Sequence, residues 1–153
     1  MKIMLDTTYL LPTIGIAIRG LPSEAPTRLL DKGHQISISH ITLFELAAKG
    51  AQYINNGSLP SQIVAEGIRA IIRDDEIETI PFHDSELLLT SFELRKVLID
   101  FIDCLIVSSA INHCDALITE DSEIHSLKKN NNIRGLIAAT NPKFRIQMLN
   151  ELL

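Results

Sequence analysis

The chain has little of the chemistry that most readily gives a function away. It holds two cysteines, Cys104 and Cys114, in 153 residues. Both lie among apolar neighbours, and His34, His40, His83, His113 and His125 are too scattered to complete a zinc site with them. The cysteines read as small buried hydrophobes of a reducing compartment. No apolar run approaches the length of a membrane span. The run Ile3-Met4-Leu5 is stopped by Asp6 before it could serve as the core of a signal peptide, so a cytoplasmic protein with no membrane partner is expected. There is no glycine-rich phosphate loop and no defensible Ser/His/Asp order for nucleophilic catalysis. Basic charge is also short. Fourteen Lys and Arg face nineteen Asp and Glu, for a net charge of −5 and a pI of about 5.5. That excludes the global basic footprint of many nucleic-acid binders. An acidic balance instead suits negative charge gathered at a metal site.

What is present fits one domain spanning residues 1–153. The apolar fraction is 46% and the charged fraction 22%, ordinary for a globular fold with a single core. Lys2 to Asp6 reads as a buried strand ending on a polar Asp-Thr-Thr. Tyr9 to Ile18 is apolar with Pro12 near its front, which suits the first turn of a helix or a break between two short ones. Thr27 to Lys32 is a short helix stopped by Gly33. The alternation from His34 to His40 predicts a strand. Ile41 to Ile54 is a helix with Ile41, Phe44, Ala48 and Ala51 facing inward, and Ser61 to Arg73 another with Ile63, Ile68, Ile71 and Ile72 inward. Ile77 to Phe82 is a third strand. Asp84 to Ile99 reads as one long capped helix, and Asp100 to Asn112 as a far more apolar one. Ala116 to Thr119 is a fourth strand and Ser122 to Lys129 a short helix. Ile133 to Ala139 suggests a last edge strand, and Pro142 onward an amphipathic C-terminal helix. Alternating strands and helices imply a three-layer α/β/α domain around a parallel sheet of four to five strands. In such sheets the functional crevice lies beyond the carboxyl ends of the strands.

That rule selects among the acids. Asp6 follows the first strand and Asp121 the fourth, so both belong to the same end of the sheet, although each also suits a helix N-cap. Asp103 sits in Ile102-Asp103-Cys104-Leu105-Ile106-Val107, where an unpaired carboxylate is costly. Glu45 lies among Leu43, Phe44, Leu46 and Ala47, with Lys49 at i+4 as a competing surface partner. Four carboxylates in one crevice repel each other, and a hard divalent cation removes that penalty. Oxygen-only donors favour Mg²⁺ or Mn²⁺ over zinc. Glu123 is a further candidate ligand beside its ordinary role as an acid in a first helical turn. Asp100 shares a face with Asp103 at i+3 and also suits an N-cap. Thr7 and Thr119 are candidates to orient the ligands. Lys49, Arg95, Lys96, Lys128 and Lys129 read as solvated surface cations.

The segments Ile3-Met4-Leu5-Asp6-Thr7-Thr8-Tyr9, Phe44-Glu45-Leu46, Asp103-Cys104-Leu105-Ile106-Val107-Ser108-Ser109 and Ile118-Thr119-Glu120-Asp121-Ser122-Glu123 together resemble, in order and over nearly the whole chain, the PIN-domain nucleases and their VapC-type toxins. The resemblance implies a metal-dependent endoribonuclease of single-stranded RNA that leaves a 5′-phosphate. It further implies a homodimer and an antitoxin protein as partner. By that resemblance Asp6, Glu45, Asp103 and Asp121 form the catalytic set, with Asp6, Asp103, Asp121 and Glu123 toward Mg²⁺ or Mn²⁺. The second reading is a catalytically silent PIN-like binding or scaffold module. Two positions depart from the family pattern: Thr8 stands where Asn is frequent, and Glu120 adds an acid beside Asp121. A response-regulator-like domain would need adjacent acids after the first strand and a later lysine, a pattern this chain lacks.

Overall fold

The computed structural model describes all 153 residues. Five parallel strands form one sheet in the order β3-β2-β1-β4-β5. They are β1 (Lys2–Leu5), β2 (Gln35–Ser39), β3 (Ile77–Ile80), β4 (Ala116–Ile118) and β5 (Arg145–Gln147). The chain builds outward from β1 to β3 on one side, then returns to the centre and adds β4 and β5 on the other. The strand order therefore reverses between β1 and β4, and open sheets of this kind place their functional crevice beyond the carboxyl ends at such a point.

The central strands read as uninterrupted apolar runs because helices cover both faces. Ile3, Met4 and Leu5 are fully buried, as are Ala116, Leu117 and Ile118. Alternation sends Ile3 and Leu5 to one face and Met4 to the other. The first face packs against α1 (Ala25–Asp31), α2 (His40–Asn55) and α3 (Ser61–Arg73), with Leu29, Leu46, Val64 and Ile71 in its core. The second packs against α4 (Ser85–Leu94), α5 (Phe101–His113), α6 (Ser122–Ser126) and α7 (Asn131–Thr140). No helix is long and apolar enough to cross a membrane.

Several elements differ from the sequence reading. The segment after β1 is a 3-10 helix over Thr7–Ile14, since Pro12 inside it offers no amide hydrogen and Gly15, at φ +90°, turns the chain out. α4 stops at Leu94 and does not reach Ile99. The turn that follows is held by the Arg95 guanidinium donating to the Leu98 carbonyl at 3.1 Å. The last two elements are exchanged. Residues 133–139 lie in helix α7, where Asn130 caps the Ile133 amide and Ile133, Leu136 and Ile137 pack together at helical spacing. The segment after Pro142 is strand β5, not a helix. Phe144 and Ile146 alternate into the core and β4 offers a free edge, so pairing overrides the local pattern. Ile146 and Leu149 are buried in the chain's own core, whereas Leu153 is exposed.

The inward faces of α2 and α3 also shift. Thr42, Leu46 and Gly50 face inward on α2, and Phe44 is 61% exposed. On α3 the buried set is Val64, Gly67 and Ile71, with Ile68 half-buried and Ile63 and Ile72 exposed. Close approach is the reason. A Cβ at Gly67 would lie 2.3 Å from the Thr13 carbonyl oxygen, and one at Gly50 would lie 2.4 Å from Val64. Backbone cannot yield as a flexible side chain does. Gly67→Ala is therefore expected to destabilise the fold by about 2 kcal/mol, despite alanine's better helix propensity. Urea denaturation checks this; an unchanged midpoint would refute the close packing.

Candidate active site

The site begins where β1 and β4 end. The Asp6 amide donates to the Ile118 carbonyl at 3.1 Å, extending the β1–β4 pairing one residue beyond the strands. This sets the Asp6 carboxylate beside Thr119. The Thr119 hydroxyl donates to Asp6 Oδ2 at 2.6 Å, and the Thr7 amide donates to Oδ1 at 2.7 Å. Asp6, Thr7 and Thr119 are all buried. Thr119 Oγ1 also accepts from the Asp121 amide at 3.1 Å.

α2 brings Glu45 in from the first face of the sheet. Ser39 caps this helix, its Oγ accepting from the Ile41 amide at 3.4 Å. Glu45 then lies one turn in, half-buried, and accepts a short hydrogen bond from the Thr7 hydroxyl. The surface pair with Lys49 does not form. The ion pairs of the chain are Lys2–Glu78, Arg28–Glu24 and Lys96–Glu93.

α5 brings Asp103 from the opposite face. Asp100 caps this helix, its Oδ1 accepting from the Ile102 amide at 2.8 Å, so its N-cap role is realised. Asp103 follows in the first turn, half-buried. Burial pushes its carboxyl up to about 7, helped by the charges of Asp100, Asp6, Asp121 and Glu45. Asp6 is likewise raised, chiefly by burial. Its hydrogen bond from Thr119 opposes that shift, and the Glu45 and Asp121 charges add to it. Asp121 caps α6, accepting from the amides of Glu123 at 2.7 Å and Ile124 at 3.2 Å. Glu123 is exposed on that helix and is not among the charges acting on Asp6 or Asp103.

Asp6, Glu45, Asp103 and Asp121 thus come from four elements into one electrostatic neighbourhood, which Asp100 also reaches, while Glu123 stands exposed in the first turn of α6. No group of three or more His, Cys, Asp or Glu side chains is disposed to enclose a metal ion directly. The donor chemistry still fits a hard cation. Every donor is a carboxylate oxygen, burial and then neighbouring acids raise the pKa of Asp6 and Asp103, and Mg²⁺ takes one or two carboxylates while keeping several waters.

Sequence reasoning missed a brace behind the site. Tyr9, buried, donates its hydroxyl to Glu120 Oε1 at 2.7 Å, and the Leu149 amide donates to the same oxygen at 3.2 Å. Glu120 is therefore a structural tie to the C-terminal segment as well as an added charge. His125 Nε2 lies 2.8 Å from the Thr119 carbonyl. Nothing in the local pattern around Tyr9 or His125 signals these contacts, which join residues distant in sequence or hidden by a helix turn.

The family model described as PIN domain matches residues 3–130. No curated protein matches the chain. Among solved structures, VapBC2 from Rickettsia felis, bound to a DNA fragment from their promoter, is similar at 22% identity and a TM-score of 0.59. That likeness covers 97% of this chain and 98% of the other. A toxin–antitoxin complex from Klebsiella pneumoniae is similar at 18% identity and 0.53, over 92% and 93%. FitAcB from Neisseria gonorrhoeae is similar at 19% identity and 0.53, over 79% and 88%. At these identities the likeness is one of fold.

The raised pKa of Asp103 makes a signed prediction. Below about pH 4 its carboxyl is protonated in native and unfolded chain alike. Between its ordinary value of 3.8 and about 7 the native state holds a proton that the unfolded chain releases, so stability falls as pH rises through that window. Asp103→Asn should raise the melting temperature at pH 8 in chelator and leave it nearly unchanged at pH 4. An equal effect at both pH values would show that the charge cluster is not the cause.

Proposed function

The chain belongs to the PIN-domain family, and from that premise we propose that it is a metal-dependent endoribonuclease, the toxin of a toxin–antitoxin pair. The family's members are nucleases, which supports hydrolysis of a nucleic-acid phosphodiester. The observation that carries the reading is the placement of Asp6, Glu45 and Asp121 at the strand-order reversal by the hydrogen bonds of Thr7 and Thr119, with half-buried Asp103 brought to the same charges by α5. A scaffold has no evident use for such an arrangement, because it destabilises the fold at neutral pH.

In this reading Asp6, Asp103 and Asp121 hold Mg²⁺ or Mn²⁺, with Glu123 as a contributor to any second ion. When bound, the ion supplies an acidified water and offsets the charge developing on phosphoryl oxygen. Glu45, fixed by the Thr7 hydroxyl, ligates or orients the attacking water. Thr119 and the Thr7 amide hold one Asp6 carboxylate oxygen each and so fix its orientation. Water attacks phosphorus of single-stranded RNA, the bond to the 3′ oxygen breaks, and the 5′-phosphate stays on the downstream product. The toxin assignment draws support from the toxin–antitoxin complexes among the fold neighbours. An antitoxin segment with a basic side chain, arginine above all, would offset the same carboxylates in the ion's place. A homodimer and a cytoplasmic setting belong to the same proposal.

Asp6→Asn and Asp103→Asn are each expected to lower single-stranded RNA cleavage by at least about 100-fold, and excess chelator to do the same to the wild type. Calorimetric titration with Mn²⁺ should give heat with the wild type and little with Asp103→Asn. Cleavage that persists in both variants and in chelator would overturn the proposal. Metal-dependent heat without cleavage would favour a silent module. Thr7→Val, which frees Glu45, should cost roughly 10- to 100-fold in cleavage with the melting temperature nearly kept.

A further inference from the structure

Charge is unevenly distributed along this acidic chain. Residues 124–150 contain Lys128, Lys129, Arg134, Lys143 and Arg145, and not one of the nineteen Asp and Glu. The fold gathers three of these cations, Lys128, Arg134 and Arg145, around one open cavity of about 480 Å³. All three are exposed, and none enters any of the chain's ion pairs. The floor beneath them is apolar, formed by Ile137, Phe144 and Ile146. The one acid on the rim is Glu151, which accepts from the Met148 amide at 2.8 Å and lies in the field of Lys128, leaving Arg134 and Arg145 as the principal free cations.

Its position ties this cleft to the carboxylates. It runs along the outer side of β5, the edge strand, up to Gln147. The Gln147 carbonyl accepts from the Thr119 amide at 3.0 Å, so the far end of the cleft borders the site. From Asp121 the chain passes through α6 and a 3-10 turn (Leu127–Lys129) directly to Lys128. By the helical rise that is roughly 10 Å. A stacked strand covers this distance with about three nucleotides.

Unpaired cations above an apolar floor match a nucleotide, whose phosphate needs charge and whose base needs a dry surface. We propose that this cleft holds a nucleotide of the single-stranded RNA a few positions from the scissile phosphodiester, with phosphate on Lys128, Arg134 and Arg145 and the base against the Ile137–Phe144–Ile146 floor. The proposal rests on the ribonuclease reading for its choice of ligand. It answers how a chain of net charge −5 retains a polyanion whose scissile bond must approach four carboxylates: attraction is supplied beside the site rather than in it.

The test is binding without cleavage. Anisotropy of a fluorescein-labelled oligouridylate is followed with the full chain in excess chelator, between about 50 and 200 mM salt. The double variant Arg134→Ala with Arg145→Ala should bind about tenfold more weakly. Its plot of log affinity against log salt should be shallower by about 1.4, the release expected from two lost phosphate contacts. Arg73→Ala, an exposed cation on α3, should leave affinity and slope unchanged. Both cleft arginines are exposed and unpaired, so matching melting curves will show that the fold is intact. Undiminished affinity and slope in the double variant would overturn the proposal and leave the cleft to an acidic peptide lying along the free edge of β5. Absence of wild-type binding would overturn it as well. Failure of the ribonuclease reading is seen separately, as absence of metal-dependent RNA cleavage by the wild type while oligouridylate binding persists.

Discussion

Thr119 and Asp6 meet where the sheet changes direction, and the site is organised around their hydrogen bond. β1 and β4 are neighbours in space only because the chain leaves the centre, builds β2 and β3, and returns. At that return the Thr119 hydroxyl reaches Asp6 Oδ2 while its oxygen takes the Asp121 amide. One threonine therefore fixes two of the four acids. Thr7 does the same on the other side, its amide on Asp6 and its hydroxyl on Glu45. The carboxylates are positioned by neutral donors, which orient them without cancelling their charge.

Asp103 lacks even that support. Its environment contains burial and like charge, and its carboxyl rises to about 7 in consequence. A fold gains nothing from such a residue by itself. The helix that carries it is packed tightly along nearly its whole length, Cys104 to Ile111 being buried, so the cost is absorbed by surrounding core. Strain of this kind concentrates where function outweighs stability. The cations of the chain respect the same division. Three of them, Lys128, Arg134 and Arg145, gather along the edge strand β5.

The parallel sheet and its α/β/α layering were legible in the sequence because Ile3–Leu5 and Ala116–Ile118 are apolar at consecutive positions and are separated by periodic helices. The acids were legible for a different reason: a carboxylate after a strand or within Ile102–Val107 conflicts with its surroundings. Misreadings arose where long-range pairing decided the outcome. Arg145–Gln147 becomes strand because β4 has an open edge, and 131–140 becomes helix because Ile133, Leu136 and Ile137 pack at helical spacing onto the core shared with α4 and α5. Phe44 was assigned inward by hydrophobicity alone, yet Gly50 and Gly67 let the α2 and α3 backbones approach so closely that a different stripe is covered. The Tyr9–Glu120–Leu149 brace spans the whole chain, and no local pattern could reveal it.

That brace has a temporal consequence. Tyr9 and the four acids precede residue 122 in the chain, whereas the partner amide that completes the Glu120 tie belongs to Leu149, after β5 has closed the sheet. During synthesis the acids emerge long before the last strand that backs them. Until Leu149 is made, the tie that Tyr9 begins at Glu120 lacks its second donor.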